Sequence, residues 1–234
     1  MIRSEQFVRQ KGTFTTMNYN CARIYCAGPL FNSQEQAEML KIASCLESAG
    51  FDTFLPQRDG LEMCVLQEDL VRNGISPNIA NDILKRAVFS VDVFQLVKVC
   101  DGVIVNLNGR VPDEGAISEA AIAWCAGKTV IGYKADNRSV FNGEDNPLVS
   151  GLFDFDLYDD IENAVKAFER SIAHRTNKKK NRLTTSIEKS ISIGEQIWKT
   201  LEKERKAESI ASSLFDVFSF SRPVEKSFIQ KIAK

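Results

Sequence analysis

The stretch Asp101–Lys134, "DGVIVNLNGRVPDEGAISEAAIAWCAGKTVIGYK", reads as strand, helix and strand. "DGVIVNL" is apolar without alternation, the pattern of a strand buried on both faces. Gly115–Ala126 turns small and apolar in the manner of a helix, and Gly127 closes it. "TVIGYK" is a second apolar strand. A connection through a helix predicts parallel strands in a sheet covered on both sides.

The same alternation extends in both directions. "ARIYCAG" (22–28) predicts a buried strand ending at a Gly-Pro turn, and "SQEQAEMLKIASCLESAG" predicts a helix stopped by Gly50. "FDTFLP" is a further strand, Gly60–Ala87 reads as helix in pieces broken at "GISPN", and "VFSVDVFQLVKVC" reads as helix. "GLFDFDLYDDIENAVKAFERS" supplies a weak last strand and an amphipathic helix. The expectation is an α/β fold: a doubly wound, mainly parallel five-stranded sheet of the flavodoxin-like three-layer kind. Ligands in such sheets sit beyond the carboxyl ends of the strands. That rule gathers Tyr25–Phe31, Pro56–Gly60, Asn106–Glu119 and Lys134–Asn146 around one crevice.

Composition shifts from about Ser171. "NKKKNR" (177–182) reads as a charged linker, and Thr185 with Glu188 as a capping box. Leu183, Ile187, Ile191, Trp198 and Leu201 recur at helical spacing, and "SLFDVFSF" adds an apolar cluster. The expected division is an N-terminal extension (1–21, with Met17 a candidate start), a catalytic domain (22–176) and a helical C-terminal appendage (177–234). The appendage's apolar stripe would pack on the body, on a neighbouring subunit or on a dedicated partner.

The 234 residues carry a net charge of -1, which offers no general attraction to nucleic acid or acidic membranes. No apolar run reaches transmembrane length, so a cytoplasmic protein is expected. The six cysteines form no C-x-x-C and read as reduced core residues rather than disulfides or zinc ligands. The single histidine, His174, lies in a polar stretch, which removes Ser-His-Asp, Cys-His and H-E-x-x-H chemistry. Neither G-x-G-x-x-G nor a P-loop is present. An enzyme built on this sequence must use carboxylates.

Each motif has a plain structural reading when taken alone. Asp113 can simply cap a helix, and acids in a first turn offset the macrodipole. Asp92, within an apolar helical segment, is costly to bury unless paired or used. Read together, "YCAGPLF", "LPQRDG", Asp92 before "VCDGVIVNLNGR", "PDEGAISEAAIAWCAGK" and "DNPL" stand in one order on one rim. That set resembles the nucleoside 2-deoxyribosyltransferase family over about residues 22–170. The D-x-G-x-x-x-E block from Asp113 to Glu119 is its most specific part.

The resemblance implies roles one residue at a time. Glu119 matches the nucleophile, Tyr25 the tyrosine that orients it, and Asp92 the acid beside the leaving base. Asp113 matches the residue holding sugar hydroxyls, and Gln57 the glutamine at the base. Gly28, Phe31 and Gly115 shape the pocket. Asn146 resembles an asparagine that reaches a neighbouring subunit's sugar, which implies a homo-oligomer, dimer or hexamer. The implied partners are a 2′-deoxynucleoside and a free nucleobase, with no cofactor, metal, nucleic acid or membrane.

Breaking an N-glycosidic bond develops oxocarbenium character, which a carboxylate pair can manage. Glu119 would trap C1′ as a covalent deoxyribosyl-enzyme while Asp92 protonates the leaving base, giving retention and ping-pong kinetics. The helix start predicts an ionised Glu119, and apolar surroundings predict a protonated Asp92. One alternative is hydrolysis of 2′-deoxynucleosides or their 5′-monophosphates. Family relatives that cleave monophosphates carry a small hydroxyl residue where this chain has Asp113, whose charge would repel a phosphate. Another alternative is a non-catalytic nucleoside-sensing module reporting through the C-terminal helices.

Overall fold

The computed structural model describes residues 22–138, 144–173 and 185–218. Expectations placed on residues 1–21, on Cys21 and His174, on the 177–182 run and on Leu183 lie outside them, as do the side chains of Thr185 and Ile187.

Five strands form one sheet in the order β2-β1-β3-β4-β5, every neighbouring pair parallel. They are β1 (Arg23–Ala27), β2 (Asp52–Phe54), β3 (Gly102–Asn106), β4 (Thr129–Tyr133) and β5 (Leu157–Tyr158). This is the flavodoxin-like order, with its switch point between β1 and β3. The expected α/β architecture is observed, and the sheet is wholly rather than mainly parallel.

Period-two alternation divides the core between the faces. Tyr25, Ala27, Phe54, Val103 and Val105 point to one side; Ile24, Cys26 and Ile104 point to the other. The second side is covered by α1 (Ser33–Ser48) and α7 (Ile161–Ala173), whose Met39, Ile42, Leu46 and Phe168 complete a compact cluster. The first side is covered by α4 (Pro77–Phe94) and α5 (Glu114–Cys125). The short α2 (Pro56–Asp59) follows β2, α3 (Met63–Arg72) precedes α4, and α6 (Pro147–Ser150) precedes β5.

Local chemistry explains most boundaries. Asn32 Oδ1 accepts from the N–H groups of Gln34 and Glu35 to start α1. The stops predicted at Gly50 and Gly127 fall where φ is +93° and +72°, a region other residues rarely adopt. The break predicted at "GISPN" is observed: α3 ends at Arg72, Gly74 turns the chain at φ +85°, and Pro77 occupies the first turn of α4, which then runs unbroken to Phe94. Asp92 therefore lies near the end of one long helix, just before a π-helical turn at Gln95–Val99.

Beyond the sheet lie α8 (Thr185–Lys203) and α9 (Ala207–Val217). Ile191, Ile197, Trp198, Leu201, Ile210, Leu214 and Phe215 are buried in the same cluster as Tyr25 and Phe54. The helical extension thus continues the core of one sheet face. "SLFDVFSF" contributes to α9 as far as Val217.

Candidate active site

Tyr25 sits in the middle of β1, wholly buried, with its ring 5.1 Å from that of Phe54 on β2. Its hydroxyl donates to Glu119 Oε1 at 2.6 Å and also interacts with Asp92. Three elements therefore meet at one phenol: β1 brings Tyr25, α4 brings Asp92 and α5 brings Glu119. The small residues Ala116, Ala120 and Ala123 seat α5 closely on the sheet, which explains why its sequence is so poor in bulky side chains.

Burial sets the protonation of this trio. It raises Glu119 to about 8, helped by the charges of Asp92 and Asp113 and opposed by the Tyr25 hydrogen bond. Burial likewise raises Asp92 to about 7, again opposed by Tyr25. The phenol itself is held protonated, first by burial and then by the two carboxyl groups. The expected split, ionised Glu119 beside protonated Asp92, is thus corrected: both are raised, Glu119 further. Glu119 lies in the second turn of α5, beyond the reach of a helix N-terminus, which fades within the first. Such a pair shares its protons and titrates as a unit.

Asp113 is the N-cap of α5, its Oδ2 accepting from Ala116 N at 2.7 Å. The plain reading of this residue therefore holds, while its charge still bears on Glu119. Gly115 serves that cap, since a Cβ there would stand 3.0 Å from Asp113 Oδ2. Gly28 is fixed by packing on the α1 side, where a side chain would overlap Met39 Sδ and approach Asn106 Cβ at 2.9 Å. Phe31 stands largely exposed on the rim. Gln57, on α2, donates from Nε2 to the carbonyl of Gln36 at 2.9 Å, and its buried Oε1 has no partner among the described residues.

Asn146 stands immediately before α6. It caps α6 by accepting from Leu148 N and lines a cavity of about 460 Å³ with Arg110, Val111, Ile117 and Ser118. Ile117 and Ser118 lie on a different side of α5 from Glu119, as about 100° per residue requires.

Two asparagines at the end of β3 went unassigned in the sequence. Asn108 Oδ1 accepts from the backbone N–H groups of Ala135 and Asp136, and Asn106 Oδ1 accepts from Asn108 N. They tie the loop after β3 to the loop after β4. The "NLNG" run was their only signal. Among the described residues no group of three His, Cys, Asp or Glu side chains is arranged to hold a metal, and no helix is long and apolar enough to cross a membrane.

Two partly exposed carboxyl groups joined through a phenol, on the crevice side of an open parallel sheet, define an α/β protein equipped for carboxylate chemistry. The chain belongs to the nucleoside 2-deoxyribosyltransferase family, whose model matches residues 24–183. It is accordingly deoxyribosyltransferase-like. Solved structures similar to it include a conserved protein from Enterococcus faecalis V583, at 16% identity and TM-score 0.47, covering 64% of this chain and 98% of that one. A 2-desoxiribosyltransferase from Leishmania mexicana is 18% identical with TM-score 0.41, covering 66% of this chain and 99% of that one. No curated protein matches.

Proposed function

We propose that this protein transfers 2-deoxyribose between nucleobases through a covalent intermediate on Glu119. The observation that carries the proposal is the junction of Tyr25 with Glu119 at 2.6 Å and with Asp92. A nucleophilic carboxylate must be oriented and an acid must stand ready to protonate the departing base, and one phenol touches both groups.

The productive form carries one proton on the pair. Glu119 attacks C1′ as a carboxylate while Asp92 gives its proton to the leaving base. In the second half, Asp92 takes a proton from the incoming base as the sugar leaves Glu119, and both groups return to their starting state. Tyr25 keeps its proton throughout and releases its hold on Glu119 Oε1 as negative charge moves into the glycosidic bond. Gln57 Oε1, without a partner, is suited to a donor on the base. Asp113 disfavours a 5′-phosphate, which supports nucleosides over monophosphates. Asn146, which lines a cavity with Ile117 and Ser118 rather than the Glu119 side of α5, would complete the site of a second copy, and salvage of deoxynucleosides in the cytoplasm is the setting we infer.

The test is chromatographic. Incubation with deoxyinosine and adenine, and with thymidine as second donor, should yield the exchanged nucleoside, and Glu119→Ala should yield none. Free deoxyribose without exchange would assign a hydrolase instead. Binding of deoxynucleoside with no turnover of either donor would assign a sensing module.

A further inference from the structure

The C-terminal helices lie outside the part of the chain that matches the family, which ends at residue 183. Yet α8 packs on the helix that carries Asp92 and on the ring that backs Tyr25. At Gly194 it presses directly on α4. A methyl group there would overlap the carbonyl oxygen of Ser90 and meet Phe94 Cβ at 2.6 Å. Ser90 and Phe94 flank Asp92 two residues to either side. One turn further, the buried Trp198 sets its ring edge-to-face on Phe54, centroids 5.7 Å apart, and Phe54 backs the Tyr25 ring at 5.1 Å. The guanidinium of Arg23 closes this group, 5.4 Å from the Trp198 ring and 5.9 Å from Phe54. Just past α8, Arg205 donates to the carbonyl oxygens of Arg58 at 3.4 Å and Asp59 at 3.0 Å, on the turn that carries Gln57.

From these contacts we infer that α8 is a positioning brace, in which Trp198 holds Tyr25 against Glu119 through Phe54 and Gly194 sets the depth of the helix that carries Asp92. A continuous row runs from Trp198 through Phe54 and Tyr25 to Glu119 Oε1, its last link a 2.6 Å hydrogen bond. Side chains in such a row transmit displacement because protein interiors are close-packed. The brace touches no substrate: Trp198 and Gly194 act only through Phe54, Tyr25 and Asp92. This inference rests on the catalytic reading of Glu119 and Asp92.

Its test uses the full chain and two readouts. The groups facing Glu119 are Tyr25 from β1, Asp92 from α4 and Asp113 from the start of α5, with Arg23 the charge beside Trp198. In protein labelled with carboxyl-13C glutamate, the Glu119 resonance is assigned by its loss in Glu119→Gln and followed against pH. Trp198→Ala should raise its midpoint by up to about one unit, the direction expected of Tyr25→Phe, as Tyr25 loosens the hydrogen bond that holds Glu119 down. Exchange should lose about tenfold in kcat, with KM for the donor unchanged. Trp198→Phe, which retains a ring edge on Phe54, should restore both. Where Trp198→Ala does not fold, Trp198→Leu takes its place with the same expectation. A midpoint and kcat equal to wild type, whatever the loss in Tm, would overturn the brace. Absence of turnover in wild type would instead count against the catalytic reading, and the titration would still decide whether α8 controls Glu119.

Discussion

Tyr25 and Cys26 are consecutive on β1 and face opposite sides of the same sheet. Both are buried, and burial pushes both up, the phenol and the thiol each staying protonated. Their surroundings differ. Cys26 lies among Met39, Ile42, Leu46 and Ile104, an ordinary apolar layer closed by α1 and α7. Tyr25 meets two carboxyl groups, and α4, which brings one of them, is itself covered by α8. Burial alone makes an inert group. Burial of a donor between two acids, under a second layer of helices, makes a site whose protons are poised near neutrality.

The sharpest way to break this contrast is to neutralise Glu119. Glu119→Gln should lose at least about 10⁴-fold in exchange, since an amide is not a nucleophile that can take the sugar. The same variant should be more thermostable than wild type at alkaline pH. A carboxyl group raised to about 8 in the folded protein favours folding below its unfolded value near 4.5, and that contribution is lost as pH rises through about 8. The Tm difference should therefore be a few degrees at pH 8.5 and vanish near pH 4.5, as thermal melts across that range will show.

Asp92→Asn should cost about 10²- to 10³-fold in kcat. In wild type, kcat/KM should follow a bell with its maximum between about 7 and about 8, because below that window both carboxyl groups hold protons and above it both are ionised. Removing the Asp92 charge lowers Glu119, so the acid limb of Asp92→Asn should move to lower pH. A pH–rate series on both proteins measures this.

Tyr25→Phe takes away the hydrogen bond that holds Glu119 down. About tenfold should be lost from kcat, and the acid limb should move to higher pH, opposite to Asp92→Asn. On the other face, Cys26→Ala should lower Tm through lost packing and leave kcat and the pH profile as they were, by parallel melts and assays.

The sheet was legible because strands buried on both faces are continuously apolar, and "DGVIVNL" and "TVIGYK" admit no other reading. Helix stops at Gly50 and Gly127 followed from backbone conformation, a local property. Glu119 and Tyr25 were legible as a pair only through the resemblance, since 94 residues separate them in sequence. The protonation order was not legible: it depends on how deeply α5 seats its second turn beside Asp92, which helix periodicity does not encode. Nor was the course of α8. An apolar stripe at Ile191, Trp198 and Leu201 announces burial, and only the fold shows that Trp198 meets Phe54 and that Gly194 is required by Ser90.

The central claim is that Glu119 is the atom-bearing partner in sugar transfer. The direct measurement is to mix the protein with a deoxynucleoside donor and no acceptor base, quench in acid, and map peptides by mass spectrometry. The account predicts one deoxyribosyl residue on the peptide containing Glu119, removed on adding a free base and absent in Glu119→Gln. Exchange activity with an unmodified Glu119 peptide, or the sugar on another residue, would contradict it.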